Sequence, residues 1–187
     1  NIRFESAFTP DLCRLLAASG CIAVTGGLEV ASDRLLKLMD KGISVAQAAN
    51  AAAAFQQAGV MVHAYLMYGF PSQSNQETID SMENVRQMFE LGLLSSAFWH
   101  RFTLTQHSAI YGQQKKFNIR APQFDAKFFA QNDLPHEDLS GANHDLFDIP
   151  LSRSLNAWMK NEQLNAPLNS WFEQPMPLTS VAHNFIA

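Results

Sequence analysis

The stretch CIAVTGGLEVASDRLLKLMDKGISVAQAANAAAAFQQAGVMVHAYLMYGFP, residues 21–71, decides how the rest of the chain is read. It opens on a short apolar run, residues 21–27, with the length and composition of a buried strand. Ser32 can cap the helix that follows, in which Leu35, Leu36 and Met39 recur at helical spacing. Ser44 and Gln47 form a capping box for a second helix over residues 45–58, and Gly59 supplies its stop. Residues 60–68, VMVHAYLMY, are again strand-like, and Gly69-Phe70-Pro71 turns the chain. Strand, helices and strand, joined by short Gly-containing turns, make the two strands parallel with a helical crossover.

The same unit extends in both directions. Residues 2–6, IRFES, read as an earlier strand. Thr9 then caps a helix that Pro10 opens and Gly20 closes. Beyond the turn, Ser74 and Glu77 cap a helix over residues 76–91, Gly92 ends it, and residues 95–105, SSAFWHRFTLT, read as a fourth strand. The expected class is α/β with parallel strands, and periodicity alone fits both a doubly wound sheet and part of a barrel. Gly26-Gly27 is a lone pair and does not make the GxGxxG phosphate loop of a dinucleotide-binding domain.

After residue 112 the pattern changes to a tail rich in Pro, Asp, Asn and aromatics. A helix is expected over residues 151–164, a short one over 167–172, and one edge strand in the last residues. The expected organisation is an α/β part at residues 1–112 and a helical and irregular extension at 113–187. Phe124, Phe128, Phe129, Phe147, Trp158, Trp171 and Phe172 are too many aromatics for a solvated linker, so the extension should pack on the α/β part.

Composition narrows the function. The chain has 187 residues, 47% hydrophobic and 16% charged, and a formal net charge of -4. Its 13 Lys and Arg form no run longer than Lys115-Lys116, which argues against a nucleic-acid surface. No apolar stretch approaches the ~20 residues that span a membrane. The opening, NIRFES, does not read as a secretion signal, and the two cysteines, Cys13 and Cys21, match no zinc or cluster spacing. A reducing, cytoplasmic setting is expected. The chain starts without Met, inside an extended segment, and is expected to be a piece of a longer protein.

In parallel α/β folds ligands bind at the carboxyl ends of the strands. Glu5, Glu29, Tyr65 and Tyr68 fall there, followed by His100, Arg101 and His107 on the last strand and its exit. Each also has an ordinary reading. Glu29 suits a helix's first turn, Lys41 suits a helix end, and His63 and Tyr65 suit an apolar strand. His100 and His107 lack a third partner for a metal, so no metal ligands are assigned.

Residues 27–42, GLEVASDRLLKLMDKG, resemble a stretch of the radical S-adenosylmethionine (radical SAM) superfamily, G-[IL]-E-S-x-S-[DN]-x-[VL]-L-x-x-x-x-K-G. Gly27, Leu28, Glu29, Ser32, Asp33, Leu36, Lys41 and Gly42 match it, and Ala58-Gly59-Val60 and Gly69-Phe70-Pro71 match the pieces that follow. The resemblance covers about residues 2 to 112 and is nearest to the coproporphyrinogen-dehydrogenase-like group and to enzymes with a separate cobalamin-binding domain. It implies the carboxyl-terminal part of a partial TIM-type (β/α) barrel, with S-adenosylmethionine and a [4Fe–4S] cluster as cofactors and cobalamin on a further domain. It also implies roles. Glu29 takes the cofactor's ribose hydroxyls, Lys41 its methionine carboxylate, and Glu5 lies nearby. Tyr65 stands where some relatives have a second ribose-binding acid, and Gly69 and Pro71 shape the wall near the adenine. His63, His100, Arg101 and His107 are then candidates for the substrate side.

The sequence departs from the pattern at Val30, where Ser is common, and at Ser72-Gln73-Ser74. The family's CxxxCxxC loop does not occur in it. The chain therefore reads as the second half of a catalytic domain, inactive alone, its partner the missing N-terminal half and its substrate undefined. The rival expectations are a non-catalytic α/β binding domain and an unrelated lyase or aldolase barrel.

Overall fold

Apolar alternation along one strand fixes the geometry of the sheet. In β2 (Met61–Tyr68), Val62, Ala64, Leu66 and Tyr68 are buried, while Met61, His63, Tyr65 and Met67 are open or half-buried. One face of the strand meets helices and the other does not. β2 is central, pairing in parallel with β1 (Ala23–Glu29) on one side and β3 (Ser96–Arg101) on the other. The computed structural model describes residues 1–123, 132–140 and 142–186.

The helices form where the caps place them. α1 (Pro10–Ala18) starts with the Thr9 hydroxyl accepting from the Leu12 amide. α2 (Asp33–Leu38) is a single short piece between β1 and the crossover α3 (Val45–Gln57). α4 (Asn75–Glu90) is the second crossover, and both crossovers begin with the expected capping boxes. Alanines 48, 49, 51, 52 and 54 are buried along α3, and their small side chains let α1 and the sheet come close while Phe55 fills the gap. Burying a ring such as Phe55 contributes roughly 1.5–3 kcal/mol.

The first expected strand is a correction. Residues 2–6 give only one bridge, Ile2 to Gly26 in parallel, before a turn in which the Phe8 amide donates to the Glu5 carbonyl. Phe4 leaves the strand path and buries its ring on Gly26, where an added Cβ would come within 2.6 Å of it. The expected fourth strand splits. β3 ends at Arg101, and β4 (Leu104–Thr105) leaves the sheet to pair antiparallel with β6 (Asp133–Leu134). Phe102 between them stacks edge-on against Phe70. The sheet is thus three parallel strands, as in part of a (β/α) fold, and among the described residues it does not close into a barrel.

The extension packs on this frame. After α5 (Ala109–Gly112), β5 (Ile119–Arg120) pairs with β7 (Glu137–Asp138). Val30, Phe70 and Leu104, each just past the end of a sheet strand, join Phe117, Ile119 and Leu134 in a second, smaller core. A 3-10 turn (His144–Leu146) leads into α6 (Asp148–Trp158), which is shorter than residues 151–164 because the chain turns through positive φ at Asn161 and Gln163. Phe147, Trp158 and Trp171 belong to the main core, whereas Phe124, Phe128 and Phe129 lie outside the described residues. No edge strand forms in the last described residues. They run extended across α4, held at Gln76, Asp80 and Gln87 by hydrogen bonds to Leu178, Thr179, Ser180, Ala182 and Ile186. Among the described residues no helix is long and apolar enough to cross a membrane.

Candidate functional site

The open face of the sheet brings several sequence candidates together. Along one rung His63 lies between Thr25 and Ser96, along the next Tyr65 lies between Gly27 and Phe98, and Met67 pairs with His100. The His63 Nδ1 is 2.8 Å from the Ser96 hydroxyl, and its ring meets that of Tyr65 edge-on with centroids 5.1 Å apart. Met61, Tyr65 and Phe98 are 53%, 44% and 58% exposed, an apolar and aromatic surface with nothing across it among the described residues.

Glu29 stands at the rim of this face because the backbone bends there. The pairing of β1 shifts register between Gly27 and Glu29, a bulge that re-aims the side chain. Glu29 and Ala31 take φ of +56° and +43°, left-handed values that cost a side-chain-bearing residue about 1–3 kcal/mol each. The carboxylate folds back over Gly27, where any Cβ would collide with its Oε1. α2 is short enough to turn across the strand ends rather than run down the outside. Positive φ at Asp40 and Gly42 then returns the chain, and Lys41 Nζ reaches Glu29 Oε1 at 2.7 Å. Two residues separated by a helix in sequence thus make one ion pair, with the Glu29 side chain largely buried.

The turn after Glu29 is held from behind by α4. The Ser81 hydroxyl donates to the Val30 carbonyl, and Asn84 Nδ2 donates to the Ala31 carbonyl at 3.0 Å. Lower down, Arg34 binds both oxygens of Glu77 and the Ser72 carbonyl. Burial raises the Glu77 pKa, but the Arg34 and Ser74 hydrogen bonds outweigh it and hold the carboxyl below its ordinary value.

Other candidates lie elsewhere. Arg101 follows His100, so strand alternation turns it to the opposite, helix-covered face, where it binds Asp145 at 2.5 Å. It does not share a face with His63 and Tyr65. Glu5 sits in the turn after the Ile2 bridge, pairs with Arg3 at 3.7 Å, and lines a cleft against α3 with Gln47 and Asn50. Among the described residues no hydrogen bond or ion pair joins it to Glu29 or Lys41. His107 is exposed in the turn before α5. Gly69, with φ of +73°, and Pro71 form the turn after β2. Gly69 faces Arg101 and His144, and the Ser72 amide donates to Asp138. Here the extension is fastened. Tyr68 donates to Asp148, burial with that carboxylate pushes its pKa up, and His144 Nε2 lies 3.5 Å from Asp138.

Residues 3–85 match the radical SAM superfamily. The match runs from the Ile2 bridge through most of α4, so Glu29, Lys41, His63, Tyr65, Gly69, Pro71, Ser81 and Asn84 fall within it and His100, Arg101 and His107 do not. Members of that superfamily use S-adenosylmethionine-dependent radical chemistry and a [4Fe–4S] cluster. No curated protein matches the chain.

The residues present fit one of these groups and not the other. A carboxylate beside an ammonium suits a ligand that carries both a diol and a carboxylate, as S-adenosylmethionine does. A [4Fe–4S] cluster needs several cysteine thiolates. The chain has only Cys13, in the main core, and Cys21, whose Sγ lies 3.6 Å from the Ala23 carbonyl. Among the described residues no group of three His, Cys, Asp or Glu could hold a metal ion.

Sequence reasoning missed Ser81, Asn84 and Phe98. The first two look like the solvent side of an amphipathic helix, and Phe98 like core.

Proposed function

We propose that this chain is the carboxyl-terminal part of a radical SAM enzyme's catalytic domain, with Glu29 and Lys41 binding S-adenosylmethionine. The observation that carries the reading is the 2.7 Å contact between Lys41 and Glu29 at the rim of the open face, within the matched span. Glu29 offers acceptors to the ribose hydroxyls, and Lys41 offers its charge to the ligand's carboxylate. Bound there, the cofactor would supply the radical chemistry for removing hydrogen from a substrate, while Glu29 and Lys41 would hold it in place. Of the substrate-side candidates, His63, Tyr65 and His100 line the open face and could orient such a substrate, with the substrate itself left open.

The bare face also supports a covering part that carries the cluster ligands. Parallel sheets are buried on both sides, and among the described residues this one has helices on one side only. Two free cysteines are in keeping with a reducing, cytoplasmic setting.

Titration of S-adenosylmethionine into the isotope-labelled chain tests the site. The expected result is saturable shifts of the amides around Gly27 to Asp33 and at Lys41. Glu29→Ala and Lys41→Ala should each weaken binding by about 1–3 kcal/mol, as for a lost charge-assisted hydrogen bond. No saturable shift at millimolar ligand, or binding unaltered by both substitutions, overturns the assignment.

A further inference from the structure

We propose that Ser81 and Asn84 are positioning residues that set where the Glu29 carboxylate stands. The proposal rests on Glu29 and Lys41 being the ligand-binding pair. Both side chains come from α4, three residues apart and so on one face of the helix. They grip consecutive carbonyls, Ser81 that of Val30 and Asn84 that of Ala31, immediately after Glu29. These are the two peptide groups that follow the first left-handed residue and flank the second. If the carbonyls were released, Glu29 and Ala31 could relax to ordinary φ values, which swings the carboxylate off Gly27 and away from Lys41.

Asn84 is 5% exposed, and its Oδ1 accepts no hydrogen bond among the described residues. A buried acceptor left unpaired is unfavourable, so the unmatched Oδ1 offsets part of what the bond to the Ala31 carbonyl contributes. Asn84 therefore does for the turn what leucine could not, while its own oxygen stays unmatched. Ser81 is fully buried and reaches both the Val30 carbonyl and the Glu77 carbonyl of its own helix.

The test uses Ser81→Ala and Asn84→Leu in the full chain, with two readouts besides melting temperature. Without ligand, the carboxyl-carbon resonance of Glu29 should move toward its position in Lys41→Ala. With ligand, S-adenosylmethionine should bind about tenfold more weakly, equivalent to about 1.4 kcal/mol. A counterpart lacking both ribose hydroxyls should lose nothing. Asn84→Leu leaves the buried Ala31 carbonyl unpaired, so it should melt lower than the parent chain as well. Thr78→Ala serves as control, since Thr78 is equally buried on α4 but bonds only to the Ser74 carbonyl, and it should leave the Glu29 resonance in place. If Asn84→Leu does not fold, Ser81→Ala alone carries the measurement. A Glu29 resonance unmoved in the variants that fold, with melting lowered, overturns the proposal. A resonance that moves in a chain that binds no S-adenosylmethionine upholds the positioning and refutes the ligand.

Discussion

A methyl group added at Gly26 would meet the Phe4 ring at 2.6 Å, whereas one added at Gly27 would meet the Glu29 carboxylate. The two obstacles differ in kind. The ring is fully buried and wedged into the core, while the carboxylate is the end of a flexible side chain paired with a half-exposed lysine. Gly26→Ala is therefore expected to cost about 1–3 kcal/mol through overpacking. Gly27→Ala should leave the melting temperature close to that of the parent and separate Glu29 from Lys41, seen as a changed Glu29 carboxyl-carbon resonance. A Gly27→Ala chain with that resonance unchanged would show that the carboxylate does not lie over the glycine. The acid, the lysine and the glycine pair were all visible in the sequence. The reason for two adjacent glycines was not, because each answers to a partner brought by the fold, Phe4 from upstream and Glu29 from the bulge.

At the scale of elements, the capping boxes and glycine stops predicted α3 and α4 to within a residue at each end, since caps are local chemistry. The first strand failed for the opposite reason. IRFES alternates like a strand, but Phe4 gains more by entering the core at Gly26 than by continuing the ladder. α4 misled through its polar positions. They read as a solvated face, yet Ser81 and Asn84 are buried against the turn after Glu29, and Gln87 lies under the last described residues. The 3-10 turn before α6 carries its own pH dependence. Burial depresses the His144 pKa below its ordinary value of about 6.5, although Asp138 pulls the other way. Arg101 opposes protonation and Asp145 favours it, and the neutral imidazole packs against Gly69. Above the unfolded value the ring is neutral in both states. As the pH falls below about 6.5 the unfolded chain takes up the proton first, so stability present at neutral pH is lost progressively toward the folded value. The melting temperature should fall between pH 7 and 5, and His144→Gln should flatten that slope. A slope equally steep in His144→Gln would place the acid sensitivity elsewhere. Glu77 and Asp80, held below their ordinary values despite burial, add a separate loss at lower pH, as their carboxylates protonate.

At the largest scale, the three-stranded sheet, the second core over the strand ends and the packed extension give one frame, with one side of the sheet uncovered among the described residues. The α/β class was legible because strand and helix periods alternate cleanly. The partition of the last expected strand between two sheets was not, since it depends on Phe102 finding Phe70. Iron and sulfide reconstitution of the chain should yield no stoichiometric [4Fe–4S] species, because Cys13 is a core residue and Cys21 points to its own backbone. A stable brown protein with four irons per chain would contradict the placement of both thiols. The crossing of α4 by the last residues has a kinetic consequence. Its contacts join groups separated by 95 to 102 positions in sequence, and they form on side chains aligned only once α4 is helical. Long closures of this kind come late. The order of events is then helix first, crossing segment last. The turn that carries Glu29 takes its final shape on a helix whose outer side is sealed only at the end of folding.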